Sequence, residues 1–158
     1  MKTLFFALMI LGTVISKAQA KTEKVYVKDI DCTYDTTATY YEDGKVRIDD
    51  SSKIITVSAE GKNKILMIHV YSKECECLDC GESFQFAIKT DSLKLNQPLF
   101  LNSSNLTWVY SNSWIPAKLI TSYLGTITQT DKNSYLLKLS ELLGTSVIRN
   151  IQVTVKTN

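Results

Sequence analysis

Three cysteines fall within six residues, Cys75-Glu76-Cys77-Leu78-Asp79-Cys80, and a fourth, Cys32, lies far upstream. Thiols at this spacing support disulfide bonding, metal ligation or redox exchange, and the compartment decides among them. The N-terminus supplies the compartment. Met1-Lys2 is a basic start, 4–15 an apolar run and Ala18-Gln19-Ala20 a small-residue cleavage site. Residues 1–20 therefore read as a cleaved secretory signal peptide, and 21–158 as one disulfide-braced β domain exported to a periplasmic or extracellular, oxidising space.

Four cysteines allow three pairings. Cys77 and Cys80 stand at i and i+3, where a β-turn brings Cα atoms close enough to bridge. Cys75 and Cys77 point to one face of a strand, near the upper limit for a bond. A Cys77/Cys80 bridge with a Cys32/Cys75 bridge is favoured; Cys75/Cys80 with Cys32/Cys77 is the second arrangement. A bond from Cys32 into the cluster closes a long loop and contributes about 4 kcal/mol through chain entropy. The metal alternative uses Cys75, Cys77 and Cys80, with Cys32 or the sole histidine, His69, as fourth ligand. His69 sits in an apolar strand beside Ile65 and Met67, the setting of a hydrogen-bonded core histidine. A redox role for Cys77 and Cys80 is opposed by Glu74, Glu76, Asp79 and Glu82, whose charges disfavour thiolate formation.

The densest aromatic patch is Trp108, Tyr110 and Trp114, which could stack on a carbohydrate or a partner protein or fill the core. Asp49-Asp50-Ser51-Ser52 offers oxygen ligands without calcium-loop spacing and reads as a solvated turn. Asn102-Ser103-Ser104 and Asn105-Leu106-Thr107 are sequons of a surface loop. One histidine, in the most apolar strand, is a poor inventory for hydrolysis, so the chain is read as non-catalytic, with no cofactor.

Of 18 basic and 16 acidic residues, Lys2 and Lys17 belong to the leader, so the mature chain carries no net charge. It lacks the clustered positive charge that nucleic acid requires. No apolar run beyond residue 20 approaches the ~20 residues of a membrane span, so no stable membrane insertion follows signal cleavage. No feature specifies an oligomeric state.

The elements that would hold these residues are strands. Thr, Val, Ile and Tyr alternate with polar residues in short runs separated by turn residues. The stretch 40–46 reads as a hairpin around Asp43-Gly44, a two-residue turn pair. The run 53–59 alternates and is broken at Glu60-Gly61-Lys62-Asn63. Residues 64–71 are apolar on both faces, as for a strand covered on both sides, and pair with 84–88 so that the cysteines lie in the connection. Further strands are expected at 106–110, 123–128, 135–139 and 147–156, the last with Ile151, Val153 and Val155 inward. Two stretches are ambiguous: 113–124 could form a short helix, from Ser113 as cap to the Gly125 stop, and 134–143 fits a strand ahead of a helix. The fold class is all-β: a single antiparallel β-sandwich of about seven to nine strands, ahead of an up-and-down barrel.

Gly125-Thr126-Ile127-Thr128, the turn after it and the closing Thr/Val-rich strand resemble the small secreted bacterial β domains of unknown function. The resemblance covers the last third of the chain, implies no activity and carries over no functional residue. The functional expectation is a secreted binding or interaction module, or a structural component of the envelope. The alternative is an extracytoplasmic metal-binding protein.

Overall fold

The structure, a computed structural model, describes residues 16–19, 24–26, 32–75, 81–113 and 115–157. Eleven strands run in order: β1 (Ser16–Gln19), β2 (Lys24–Tyr26), β3 (Cys32–Ile48), β4 (Ile55–Cys75), β5 (Glu82–Lys89), β6 (Pro98–Phe100), β7 (Leu106–Asn112), β8 (Lys118–Leu119), β9 (Tyr123–Asp131), β10 (Ser134–Leu143) and β11 (Ser146–Lys156). They form two antiparallel sheets, ordered β1-β3-β4-β5-β7-β8 and β2-β11-β10-β9-β6, that pack face to face as a sandwich. No helix occurs among the described residues; 113–124 instead contains the short β8 and the start of β9. The strand count exceeds the expected seven to nine because several edge strands are only two to four residues long.

The core follows from strict alternation. Phe84, Phe86 and Ile88 of β5, Trp108 and Tyr110 of β7 and Leu66, Ile68 and Val70 of β4 face Ile127, Leu137, Leu139, Ile151, Val153 and Val155 of the second sheet. Rings carry the contact between sheets, with Trp108 5.9 Å from Tyr123. A two-residue turn joins β10 to β11, and Gly144 adopts φ 62°, which glycine takes at no steric cost.

The strand pairs β4–β5 and β9–β10–β11 lie where the alternation places them, with the turn at 131–134 between β9 and β10. The expected hairpin at Asp43-Gly44 is corrected. β3 continues through it for 17 residues to Ile48, and Gly44 marks a bulge where the register against β4 shifts. The turn comes later, at Asp49, whose carboxylate accepts hydrogen bonds from the backbone and hydroxyl of both Ser51 and Ser52. That geometry makes 49–52 a turn, as its sequence suggested. β4 likewise runs past Glu60-Gly61-Lys62-Asn63 instead of breaking there.

Two glycines meet at this bulge. A side chain on Gly61 would strike the backbone carbonyl of Gly44, and one on Gly44 would press on Ile65 and Val57. Their close approach lets the tip of the β3–β4 hairpin fold back over the outer face of the first sheet. Val46, Ile55 and Val57 from the tip cluster there with Ile65, Ala87 and Val109, and Ile55 N donates to Gln85 Oε1 at 2.9 Å. β4 is thus covered on both faces, as 64–71 implied, and its second cover is its own hairpin.

Gly61→Ala should therefore cost about 2–3 kcal/mol in urea unfolding, while Asp43→Ala beside it stays within about 0.5 kcal/mol. Equal effects at the two positions would show that the bulge does not require the close approach.

Candidate functional site

Trp108 and Tyr110 are both 0% exposed, so they are core residues and not a contact surface. Their strand is a central one, and alternation turns both rings toward the second sheet, where burial stabilises them most. Trp114, the third member of the expected patch, lies outside the described residues. So do Cys77 and Cys80. Antiparallel pairing places Cys32 directly opposite Cys75, and Cys75 is disulfide-bonded. That removes one thiolate from the metal-ligand set. Among the described residues no group of three metal-binding side chains occurs.

His69, the other metal candidate, is half-buried on the outer face of β4. Its Nε2 lies 2.7 Å from Ser83 Oγ, and its ring packs 5.2 Å from Tyr71. Burial lowers its pKa below 6.5. A neutral imidazole is thus held against a serine hydroxyl, a pairing created by the β4–β5 register and not visible in sequence spacing. The pair has the geometry of a polar contact that satisfies both side chains.

Beneath Tyr110 lies a polar cluster that sequence reasoning missed. Glu82 is 2% exposed and accepts hydrogen bonds from Tyr110 OH at 2.8 Å and Tyr34 OH at 3.1 Å. From the second sheet Arg149 reaches between the layers. Its Nε lies 3.9 Å from Glu82, its guanidinium stacks 4.1 Å from the Tyr110 ring, and its Nη1 donates to Glu141 at 2.6 Å. Lys118 adds a contact of 3.6 Å to Glu141. Burial opposes the Arg149 charge, but the Glu141 hydrogen bond and the surrounding negative groups outweigh it and raise the pKa. Burial, reinforced by the bond to Glu82, pushes the Tyr110 phenol up to about 12 and raises Tyr34 as well. The two carboxylates are committed to phenols and guanidinium, which makes the cluster a tie between the sheets. The signal was present as Glu82 and Glu141 at inward-facing positions of their strands.

The accessible surface feature is on the opposite side of the second sheet. The register aligns Phe100, Thr126, Lys138 and Gln152 in one row across β6, β9, β10 and β11, and Leu124, Ser140 and Asn150 in the next. These residues line an open depression of about 780 Å³. Phe100 is 73% exposed and Leu124 66%, both at its margin. Ser140 Oγ donates to Asn150 Oδ1 at 2.7 Å, which fixes part of the polar floor. Among the described residues Lys138 is the sole charge in the lining, and no carboxylate enters it. A second depression of about 540 Å³ brings the acids Glu42 and Asp91 together with the bases Lys64 and Lys132, between Tyr40 and Tyr135. Lys64 Nζ contacts Glu42 at 3.7 Å, and the Lys64 amide donates to Asp91 at 2.9 Å.

The raised Tyr110 pKa fixes a sign for alkaline unfolding. The unfolded phenol loses its proton near pH 10 and the folded one near 12, so between these values the folded chain binds more protons. Stability is complete below pH 10 and falls as pH rises toward 12, by on the order of 2 kcal/mol for this group. Tyr110→Phe should flatten that fall in urea titrations from pH 9 to 12. An unchanged slope would place the alkaline sensitivity elsewhere.

No family model, curated protein or solved structure matches this chain.

Proposed function

We propose that the chain is an exported, non-catalytic binding module whose rigid sandwich presents the outer face of its second sheet to a carbohydrate chain. The observation that carries this reading is the exposed Phe100, with Leu124, beside a row of hydroxyl and amide side chains. An aromatic face packs on the apolar C–H face of a sugar ring, and hydroxyls and amides exchange hydrogen bonds with its hydroxyls. The floor is broad and shallow, as suits a polymer lying across strands better than a small molecule enclosed on all sides. With Lys138 as its one charge, the surface favours neutral or acidic sugars over basic ligands.

The scaffold reading includes two disulfides, Cys32 with Cys75 and Cys77 with Cys80. Support for the first is the cross-strand register and the bonded state of Cys75. The leader at 1–20 supports export. The metal-binding alternative has lost Cys75 as a free donor and finds His69 bonded to Ser83.

The test is a microarray of neutral and uronic-acid-bearing glycans probed with the exported protein, followed by calorimetry on the strongest hit. Phe100→Ala should weaken binding by about tenfold or more and leave the melting temperature unchanged. Ile54→Ala, at an exposed apolar residue of the hairpin tip, should change neither. No glycan bound, or Phe100→Ala binding as tightly as wild type, would reject the reading.

A further inference from the structure

β1 is the outermost strand of the first sheet and pairs only with β3, matching Ser16 to Tyr40, Lys17 to Thr39, Ala18 to Ala38 and Gln19 to Thr37. All four β1 residues lie inside the segment that the sequence marks as a leader, cleaved after Ala18-Gln19-Ala20. Cleavage there takes away the whole of β1 and makes β3 the edge of the sheet.

Among the described residues, β1 is the strand that pairs with this edge. Residues 36–41, Thr-Thr-Ala-Thr-Tyr-Tyr, contain no charge, proline or glycine, and the register is regular until the Gly44 bulge. Natural edges of this kind are blunted by charge, bulges or covering segments, because unpaired N–H and C=O groups recruit another strand. Here the covering segment is the one destined for removal. Acidic residues flank the neutral stretch, Asp35 on one side and Glu42 and Asp43 on the other. Two β3 edges paired antiparallel about 38–39 would set Asp35 of each copy opposite Glu42 of the other, which is unfavourable. A strand without acids, or with a lysine as in β1, meets no such repulsion.

We propose that the β3 edge at 37–40 is a strand-addition site in the mature chain, taking an extended antiparallel peptide segment that is uncharged or basic. Backbone hydrogen bonds supply the affinity, and the acidic flanks bias the charge of the partner. This surface belongs to the first sheet and is independent of the glycan reading of the second.

The probe is a synthetic peptide of residues 14–20, added to the exported protein that begins at residue 21, with amide hydrogen exchange as the readout. At about 1 mM peptide, exchange within 37–40 should slow by about tenfold or more, while the central amides of β10 and β11 do not change. The same peptide with proline in place of Lys17 should give no protection. Three outcomes would overturn the proposal: no protection in a protein whose melting curve shows it folded; protection that rises with protein concentration alone, which means pairing of two copies; or full protection before peptide is added, which means that another part of the chain covers the edge.

Discussion

Arg149 ties the two sheets together through charge, with the Lys118 contact to Glu141 beside it. It leaves the second sheet at a position where alternation would otherwise supply an aliphatic residue, and it meets Glu82 and the Tyr110 ring of the first sheet. A buried guanidinium costs several kcal/mol of desolvation unless it is paired and hydrogen-bonded. Glu141, its cross-strand neighbour, supplies the short bond, and Glu82 supplies the second carboxylate. Glu82 is in turn tolerable in the interior because Tyr34 and Tyr110 donate to it. Each buried group makes its neighbour possible. Apolar packing would hold two sheets together in many registers, whereas these contacts form in one, with Arg149 Nε facing Glu82 through charge alone.

The same end of the sandwich carries Cys32 and Cys75. Glu82 opens β5 beside the Tyr71–Ser83 pair of β4 and β5, and Cys32 stands opposite Cys75 in the neighbouring pair of β3 and β4. Covalent and ionic ties are therefore concentrated at one end of the layers. The outer face of the first sheet is occupied by the folded hairpin tip, which the Gly44 and Gly61 contact allows. Among the described residues, that leaves the outer face of the second sheet as the broad strand-built surface open to a ligand, and Phe100 and Leu124 stand on it.

Much of the sandwich was legible because its signal is local. Period-two alternation at 84–88 and 147–156 identified both strands and their inward residues, and the doubly apolar run at 65–68 reported a strand covered on both sides. Asp43-Gly44 misled because the same dipeptide serves a turn or a bulge. Which it serves depends on whether Val46 and Ile48 have a partner strand beyond it, and that is a property of the pairing. The helix read at 113–124 failed similarly, since its caps were present but the backbone of 118–120 is taken up by β7. Trp108 and Tyr110 were correctly placed on one face, yet nothing local states whether that face is covered. The surface rows from Phe100 to Gln152 and from Leu124 to Asn150 join residues from three or four strands, so no spacing along the chain could reveal them.

The most direct test of this account is a double-mutant cycle between the sheets, with Glu82→Gln, Arg149→Met and the pair together, followed by urea unfolding at neutral pH. If Arg149 and Glu82 act as one buried unit, each single change strands the other group, and the coupling energy should be about 1 kcal/mol or more. Changes that add to within about 0.3 kcal/mol would show that the Arg149–Glu82 contact is incidental to holding the two sheets together.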